Sequence, residues 1–236
     1  MTLALLVLTT LSAPPDAPPV ENAPRPDAAA EADGFRPDPA WKSLGKGLWF
    51  DPRNRRLVLR ARVVLREGPL EHLLCLNRTK EHEAILATGA EPRMIHAGLL
   101  LTGAEKGHPV RFLPKFEPPA GTAVAIELQW EEGGKSRRAD ARQWVLDERK
   151  KAPLATDWVF AGSEFLEDPT SKQPYYAAND GDLITVSNFA SAILDLPLSS
   201  TANDAERSFV ARTEQIPPRG TRVTLVFSPR RPPAKR

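Results

Sequence analysis

Cysteine is almost absent from the sequence, and its scarcity excludes several classes of protein. Cys75 is the single cysteine among 236 residues, so one chain cannot form an internal disulfide or build a cysteine-ligated zinc or iron–sulfur site. The core must therefore be stabilised by packing, for which a folded body of about 190 residues is large enough. The apolar neighbours of Cys75 predict an inert core thiol.

An excess of charge of one sign is also absent. Lys and Arg number 32 and Asp and Glu 30, which gives a net charge of +2. Proteins dedicated to nucleic acids carry a strong basic excess, so we expect no specific nucleic-acid partner. Basic residues nevertheless share one face of a predicted strand: Arg56, Arg60, Arg62 and Arg66. This face is either a contact surface for an anion or a partner, or a solvated face that its charge protects from edge pairing.

Long hydrophobic runs are missing, and the apolar run at the start of the chain is too short to span a bilayer. Residues 1–12 predict a signal peptide, and hence an exported protein that is periplasmic or secreted, without a membrane span after cleavage. A buried N-terminal strand is the alternative. Residues 13–40 are dominated by Pro, Ala, Asp and Glu and predict a disordered linker. Residues 229–236 predict a basic disordered tail.

Residues 41–228 predict one β-rich domain. Apolar and polar residues alternate over 56–66, 124–130 and 223–227, a pattern typical of half-buried antiparallel strands. Turn residues such as Gly133 and Gly134 separate the predicted strands.

Helix signals are confined to one part of the domain. Thr79 is a candidate cap for a helix over residues 80–87, and Pro92 is a candidate first residue for a helix over 93–102 that Gly103 closes. We therefore predict an α+β fold that is β-rich, with mainly antiparallel sheets and two short helices inserted after the first strands.

Candidate metal ligands lie mostly within this helical insert. His82, Glu83 and His96 are the main candidates and His72 is a weaker one, since imidazole and carboxylate suit zinc or a similar divalent ion. The pair His82 and Glu83 begins like the zincin motif, but Leu86 stands where that motif needs a second histidine. Alternatively, His82 and Glu83 make hydrogen bonds that order the helices, and His96 is a core histidine.

Complete catalytic motifs are missing from the sequence. Ser163 lacks the trailing glycine of a nucleophile elbow. The segment 179–182 lacks the alternating oxygen ligands of a calcium loop, which favours a turn. Neither a Walker loop nor a dinucleotide fingerprint is present. These absences favour a protein that is not an enzyme.

Several blocks of sequence carry a family resemblance. They are residues 41–50 (WKSLGKGLWF), 67–71 (EGPLE), 80–83 (KEHE), 96–103 (HAGLLLTG), 158–163 (WVFAGS), 184–189 (ITVSNF) and 194–197 (LDLP). Together they resemble the YdjY-like family, which is best represented among exported planctomycete proteins. The resemblance spans about residues 41–228 and implies an exported domain of unknown function.

The leading interpretation is an exported, non-catalytic binding or structural module of the cell envelope. It needs no cofactor, and its partner is an unknown envelope protein or polymer. The alternative is a metal-binding protein or metal-dependent enzyme whose divalent ion, such as zinc, is held at His82, Glu83 and His96.

Overall fold

The computed structural model of the chain describes residues 35–198 and 209–230. The predicted signal peptide, residues 13–34 of the predicted linker, and residues 231–236 of the predicted tail lie outside these ranges. Among the described residues there are eighteen β-strands, one α-helix, and two short 3₁₀ helices at Ala141–Trp144 and Ala177–Asp180. The predicted β-rich character is confirmed.

The strands follow one another along the described chain with a single α-helix between the fifth and the sixth. They are β1 (Lys42–Gly45), β2 (Leu48–Asp51), β3 (Arg56–Val63), β4 (His72–Leu76), β5 (Ala84–Thr88), then α1 (Pro92–Leu101), β6 (Lys106–His108), β7 (Ala120–Gly121), β8 (Ala123–Glu132), β9 (Lys135–Asp140), β10 (Val145–Asp147), β11 (Ala152–Pro153), β12 (Trp158–Phe160), β13 (Phe165–Glu167), β14 (Pro174–Tyr176), β15 (Asp182–Thr185), β16 (Leu194–Asp195), β17 (Phe209–Ala211) and β18 (Arg222–Pro229).

Eight strands form a closed sheet. Their order is β3-β18-β8-β12-β16-β15-β4-β5, and β5 pairs back onto β3. Pairs around this ring are antiparallel except β4 with β5 and β15 with β16, which are parallel. The expected mainly antiparallel pairing is therefore confirmed, but the strands close on themselves rather than forming open sheets.

The three clearest predicted strands pair with one another. β18 lies between β3 and β8, where Leu225 is opposite both Leu59 and Leu128. All three leucines are fully buried, and complete burial of such a side chain contributes roughly 1.5 to 3 kcal/mol. The alternating pattern thus marks the face that these strands turn toward the core.

The second predicted helix is confirmed as α1. Pro92 occupies its first turn, and Gly103, with φ of +86°, follows the cap residue Thr102 in a conformation that favours glycine. Gly98 faces the sheet, and a Cβ built there lies 2.3 Å from a methyl carbon of Leu57. A side chain at this position displaces the core leucine, so glycine allows the close approach of helix and sheet.

The first predicted helix, over residues 80–87, is wrong. The chain makes a turn, in which Glu81 accepts a hydrogen bond from the backbone N–H of Arg78 at 2.9 Å, and then enters β5. The hydroxyl of Thr79 donates to the carbonyl of Leu76 rather than capping a helix. All five residues of β5 are buried, and a short, wholly buried strand lacks the alternation that distinguishes it from a helix.

Smaller sheets lie beside the closed one. They comprise β11-β10-β17, the hairpin β13-β14, and β6 paired with β7. Among the described residues, no helix has the length and apolar character needed to cross a membrane.

Candidate functional site

His72 is the buried histidine at the start of β4. Its strand lies between β5 and β15, and His72 is paired in register with Ala84 and Thr185. The side chain is fully buried. Its ring packs against that of Phe189, with the centroids 5.3 Å apart and the planes 22° from parallel.

One ring nitrogen of His72 is held by a carboxylate. Nε2 lies 2.8 Å from Oδ1 of Asp182, whose other oxygen accepts a hydrogen bond from the hydroxyl of Ser191. Burial acts to raise the pKa of Asp182, but the hydrogen bonds from His72 and Ser191 outweigh it and hold the pKa below its usual value. Because an ionised carboxylate only accepts hydrogen bonds, the proton lies on Nε2.

The other ring nitrogen of His72 has no hydrogen-bond partner within the part of the chain that the structure describes. Nδ1 is buried and unsatisfied, and Oε1 of Glu83 lies 4.0 Å from it. An unpaired polar atom in the interior is costly, and native proteins contain few of them. Something other than the protein's own hydrogen-bonding groups is needed to satisfy this nitrogen.

Two glutamates lie close to the imidazole of His72. Glu71, His72 and Glu83 each offer one ligand atom, and these atoms all lie within 4.8 Å of one another. The backbone fixes the group, because the N–H groups of Glu71 and His72 both donate to the carbonyl of Glu83 at 3.1 Å. Ligand atoms around a tetrahedral ion with bonds of about 2.1 Å lie roughly 3.4 Å apart. Glu71 and Glu83 are partly exposed, so small rotations of their side chains can shorten the separations to this value.

The arrangement has the chemistry of a divalent metal site. An imidazole and two carboxylates are suitable ligands for zinc. The bond from Nε2 to Asp182 reproduces the pattern in which a ligating histidine donates its second N–H to a carboxylate.

A second buried carboxylate fixes the segment that covers His72. Asp195 is fully buried and accepts hydrogen bonds from the hydroxyl of Thr185 at 2.8 Å and the backbone N–H of Phe189 at 3.3 Å. The side chain of Asn188 donates to it at 3.2 Å. Burial raises the pKa of Asp195 to about 7, and these donors limit the rise.

The structure brings together only part of the predicted site. Glu83 and the weaker candidate His72 belong to the same group, whereas the side chain of His82 is 76% exposed and its Nε2 lies 3.7 Å from Oε2 of Glu83. His96 lies elsewhere, on α1, and the three-residue group contains neither His82 nor His96. Metal binding by any of these residues stays a prediction.

His96 has the surroundings expected of a core histidine. Its Nδ1 is 2.8 Å from the hydroxyl of Tyr176 and its ring packs edge-on against Phe160, with centroids 4.9 Å apart. Burial and then the positive charge of Lys106 lower the pKa of His96 below its usual value. These contacts favour a neutral imidazole that packs within the domain.

Two residues of the site were missed by sequence reasoning. Glu71 directly precedes His72 at the start of an apolar run, a signal that could have drawn attention to both. Asp182 follows a turn and lies 110 residues away from His72. Only the pairing of β4 with β15 brings them together.

The four arginines of the predicted contact surface all have partners within the domain. Arg56 pairs with Asp51 and Arg62 with Glu81, each at 2.9 Å. Arg60 donates to the hydroxyl of Thr224 at 2.6 Å. Arg66 donates to the backbone carbonyls of Ile216 and Thr213. These contacts favour a structural role, and an anion or partner surface here stays a prediction.

Comparison with known proteins identifies a family. The family model described as the YdjY domain matches residues 48–228, which is well over half of the chain. No curated protein and no solved structure matches the chain.

Proposed function

The chain belongs to the YdjY domain family, and from this premise we propose that it is a non-catalytic binding module whose ligand is a divalent metal ion held by Glu71, His72 and Glu83. The family description names no activity, so support comes from the site. We also propose, from the apolar segment over residues 1–12, that the module is exported and acts in the cell envelope.

The observation that carries the proposal is the unsatisfied Nδ1 of His72. Nδ1 is buried, Asp182 and Phe189 fix the imidazole ring, and Oε1 of Glu83 lies 4.0 Å from Nδ1. A metal ion satisfies a nitrogen lone pair in such a position and balances the neighbouring carboxylates. Zinc is the ion we choose to test first, because the ligand set contains both nitrogen and oxygen.

Charge near the site supports a cation of more than one positive charge. The carboxylates of Glu71, Glu83 and the ionised Asp182 lie near one imidazole, and Lys80 places its Nζ 3.8 Å from Oε1 of Glu83. A divalent ion is attracted to such a group of carboxylates.

A metal-dependent enzyme is the second candidate. Three protein ligands leave a coordination position open on a tetrahedral ion, as in catalytic zinc sites. Lys80, whose ammonium group is 3.8 Å from Oε1 of Glu83 and 5.9 Å from the centre of the Phe189 ring, is the cation near these ligands that would bind an anionic substrate. The absence of a complete catalytic motif favours the binding module.

The test compares two glutamates of the same turn. The metal content of the folded full-length chain is measured by elemental mass spectrometry, and zinc affinity by calorimetry, for the wild type, Glu83→Gln and Glu81→Gln. Glu81 is matched in type and location but contacts Arg62 and the backbone of Arg78 rather than His72. We expect about one equivalent of zinc, at least tenfold weaker binding in Glu83→Gln, and unchanged binding in Glu81→Gln.

Folded protein that binds neither zinc nor another divalent ion contradicts the metal proposal. Circular dichroism of each variant distinguishes this result from unfolding. The proposed export is tested separately by cell fractionation, and mature protein found wholly in the cytoplasm overturns it.

A further inference from the structure

The loop between β6 and β7 ends in an apolar tip. Its base is closed by two backbone hydrogen bonds between Arg111 and Glu117, of 3.0 and 2.8 Å, and by an ion pair of 2.9 Å between their side chains. The tip, residues 112–116, is therefore held as a defined turn rather than a free strand edge.

The side chains of the tip face solvent. Leu113 is 85% exposed and Phe112 is 48% exposed, and the ring of Phe112 lies 6.1 Å from that of Phe116. No other large apolar residue among those described is as exposed as Leu113. The fold gains nothing from presenting these groups to water.

The chemistry of the tip favours one kind of partner. Its apolar residues are accompanied by the exposed Lys115, while Arg111 and the acidic Glu117 at the base offset each other in their ion pair. An anionic bilayer surface attracts a cation such as Lys115, and the interfacial region accepts short apolar groups. Three side chains on a convex turn are too few for a stable protein interface, which buries roughly 800 Å² on each partner.

We propose that the tip formed by residues 112–116 inserts into the interface of an anionic membrane and attaches the domain to it reversibly. Leu113 and Phe112 enter the boundary between headgroups and acyl chains, while Lys115 contacts lipid phosphates. This attachment is independent of the metal site.

Cosedimentation of the full-length chain with vesicles tests the proposal. The vesicles are phosphatidylcholine alone or mixed with phosphatidylglycerol, and the chains are the wild type, Leu113→Asp and Phe165→Asp. Phe165 is 63% exposed on the β13-β14 hairpin and serves as the matched control. Any contribution from residues 1–12 is the same in all three chains.

We expect binding to the mixed vesicles that falls about tenfold or more in Leu113→Asp and stays within twofold in Phe165→Asp. A second variant, Lys115→Glu, is expected to reduce binding to the mixed vesicles about tenfold. Absence of vesicle binding, equal loss in Phe165→Asp, or equal binding to phosphatidylcholine alone overturns the proposal.

Discussion

The cluster around His72, with Glu71, Glu83 and Asp182, and the cluster around His96, with Tyr176 and Phe160, differ in the contacts of their histidine ring nitrogens. His96 meets the neutral hydroxyl of Tyr176, lies among aromatic rings, and has no unsatisfied buried atom. Among the described residues, one nitrogen of His72 contacts a carboxylate and the other has no hydrogen-bond partner. The difference teaches that a histidine in neutral surroundings fits a core role, whereas one with an unsatisfied nitrogen beside carboxylates is the stronger candidate for a binding site.

Replacement of the histidines themselves should give the largest contrast. In His72→Gln we expect zinc affinity to fall on the order of 100-fold or more, because the imidazole ligand is lost, whereas His96→Gln should stay within threefold of the wild type. Calorimetry measures the affinities. In the wild type, zinc at 100 times its dissociation constant should also raise the free energy of unfolding by about 2.7 kcal/mol. Equal losses in the two variants would remove the distinction between the clusters.

Replacement of the carboxylate that orients His72 should have a smaller effect. Asp182→Asn retains the shape of the side chain but loses the charge that holds Nε2, so we expect zinc affinity to fall by about 10- to 100-fold. Asp180→Asn, two residues earlier, is the control, since Asp180 accepts a hydrogen bond from the hydroxyl of Tyr175. Unchanged affinity in Asp182→Asn would mean that the carboxylate plays no part in orienting a ligand.

The equivalent change in the His96 cluster should affect stability alone. Tyr176→Phe removes the hydroxyl that contacts His96 and the carbonyl of Gly162, and we expect the free energy of unfolding to fall by about 1 to 2 kcal/mol with no change in zinc affinity. Tyr175→Phe should cost less than about 0.5 kcal/mol, since its hydroxyl bonds Asp180 at the exposed surface. Urea denaturation measures both, and a change in zinc binding in Tyr176→Phe would link the two clusters.

Protonation of His96 should produce the smallest effect. Its pKa is lowered in the folded state, so the native chain binds fewer protons than the unfolded chain, and stability falls as pH drops through the usual range of histidine. The metal-free wild type should therefore lose more stability than His96→Gln between pH 7 and pH 5. Asp195, whose raised pKa acts in the opposite direction, is present in both chains and cancels in the difference.

The sequence predicts the fold better than it predicts the site. Apolar and polar residues alternate over β3, β8 and β18 because each strand buries one face. Pro92 and Gly103 mark the two ends of α1. The sequence wrongly predicts a helix in the region of β5, because all residues of this strand are buried and apolar and polar residues do not alternate along it. The site joins residues from β4, the turn before β5, and β15, so its geometry depends on long-range strand pairing that no local spacing encodes.

The position of β18 within the closed sheet sets an order of events during synthesis. β18 pairs with β3 from Arg222 to Phe227 and with β8 from Val223 to Pro229, and the contact between Arg60 and Thr224 spans 164 residues. The ring cannot close until the ribosome has delivered this strand, so a nascent chain remains open until residue 229 has emerged. Such long-range contacts also slow folding. This delay leaves the polypeptide unfolded during synthesis, and the proposed export through a narrow channel would require an unfolded chain.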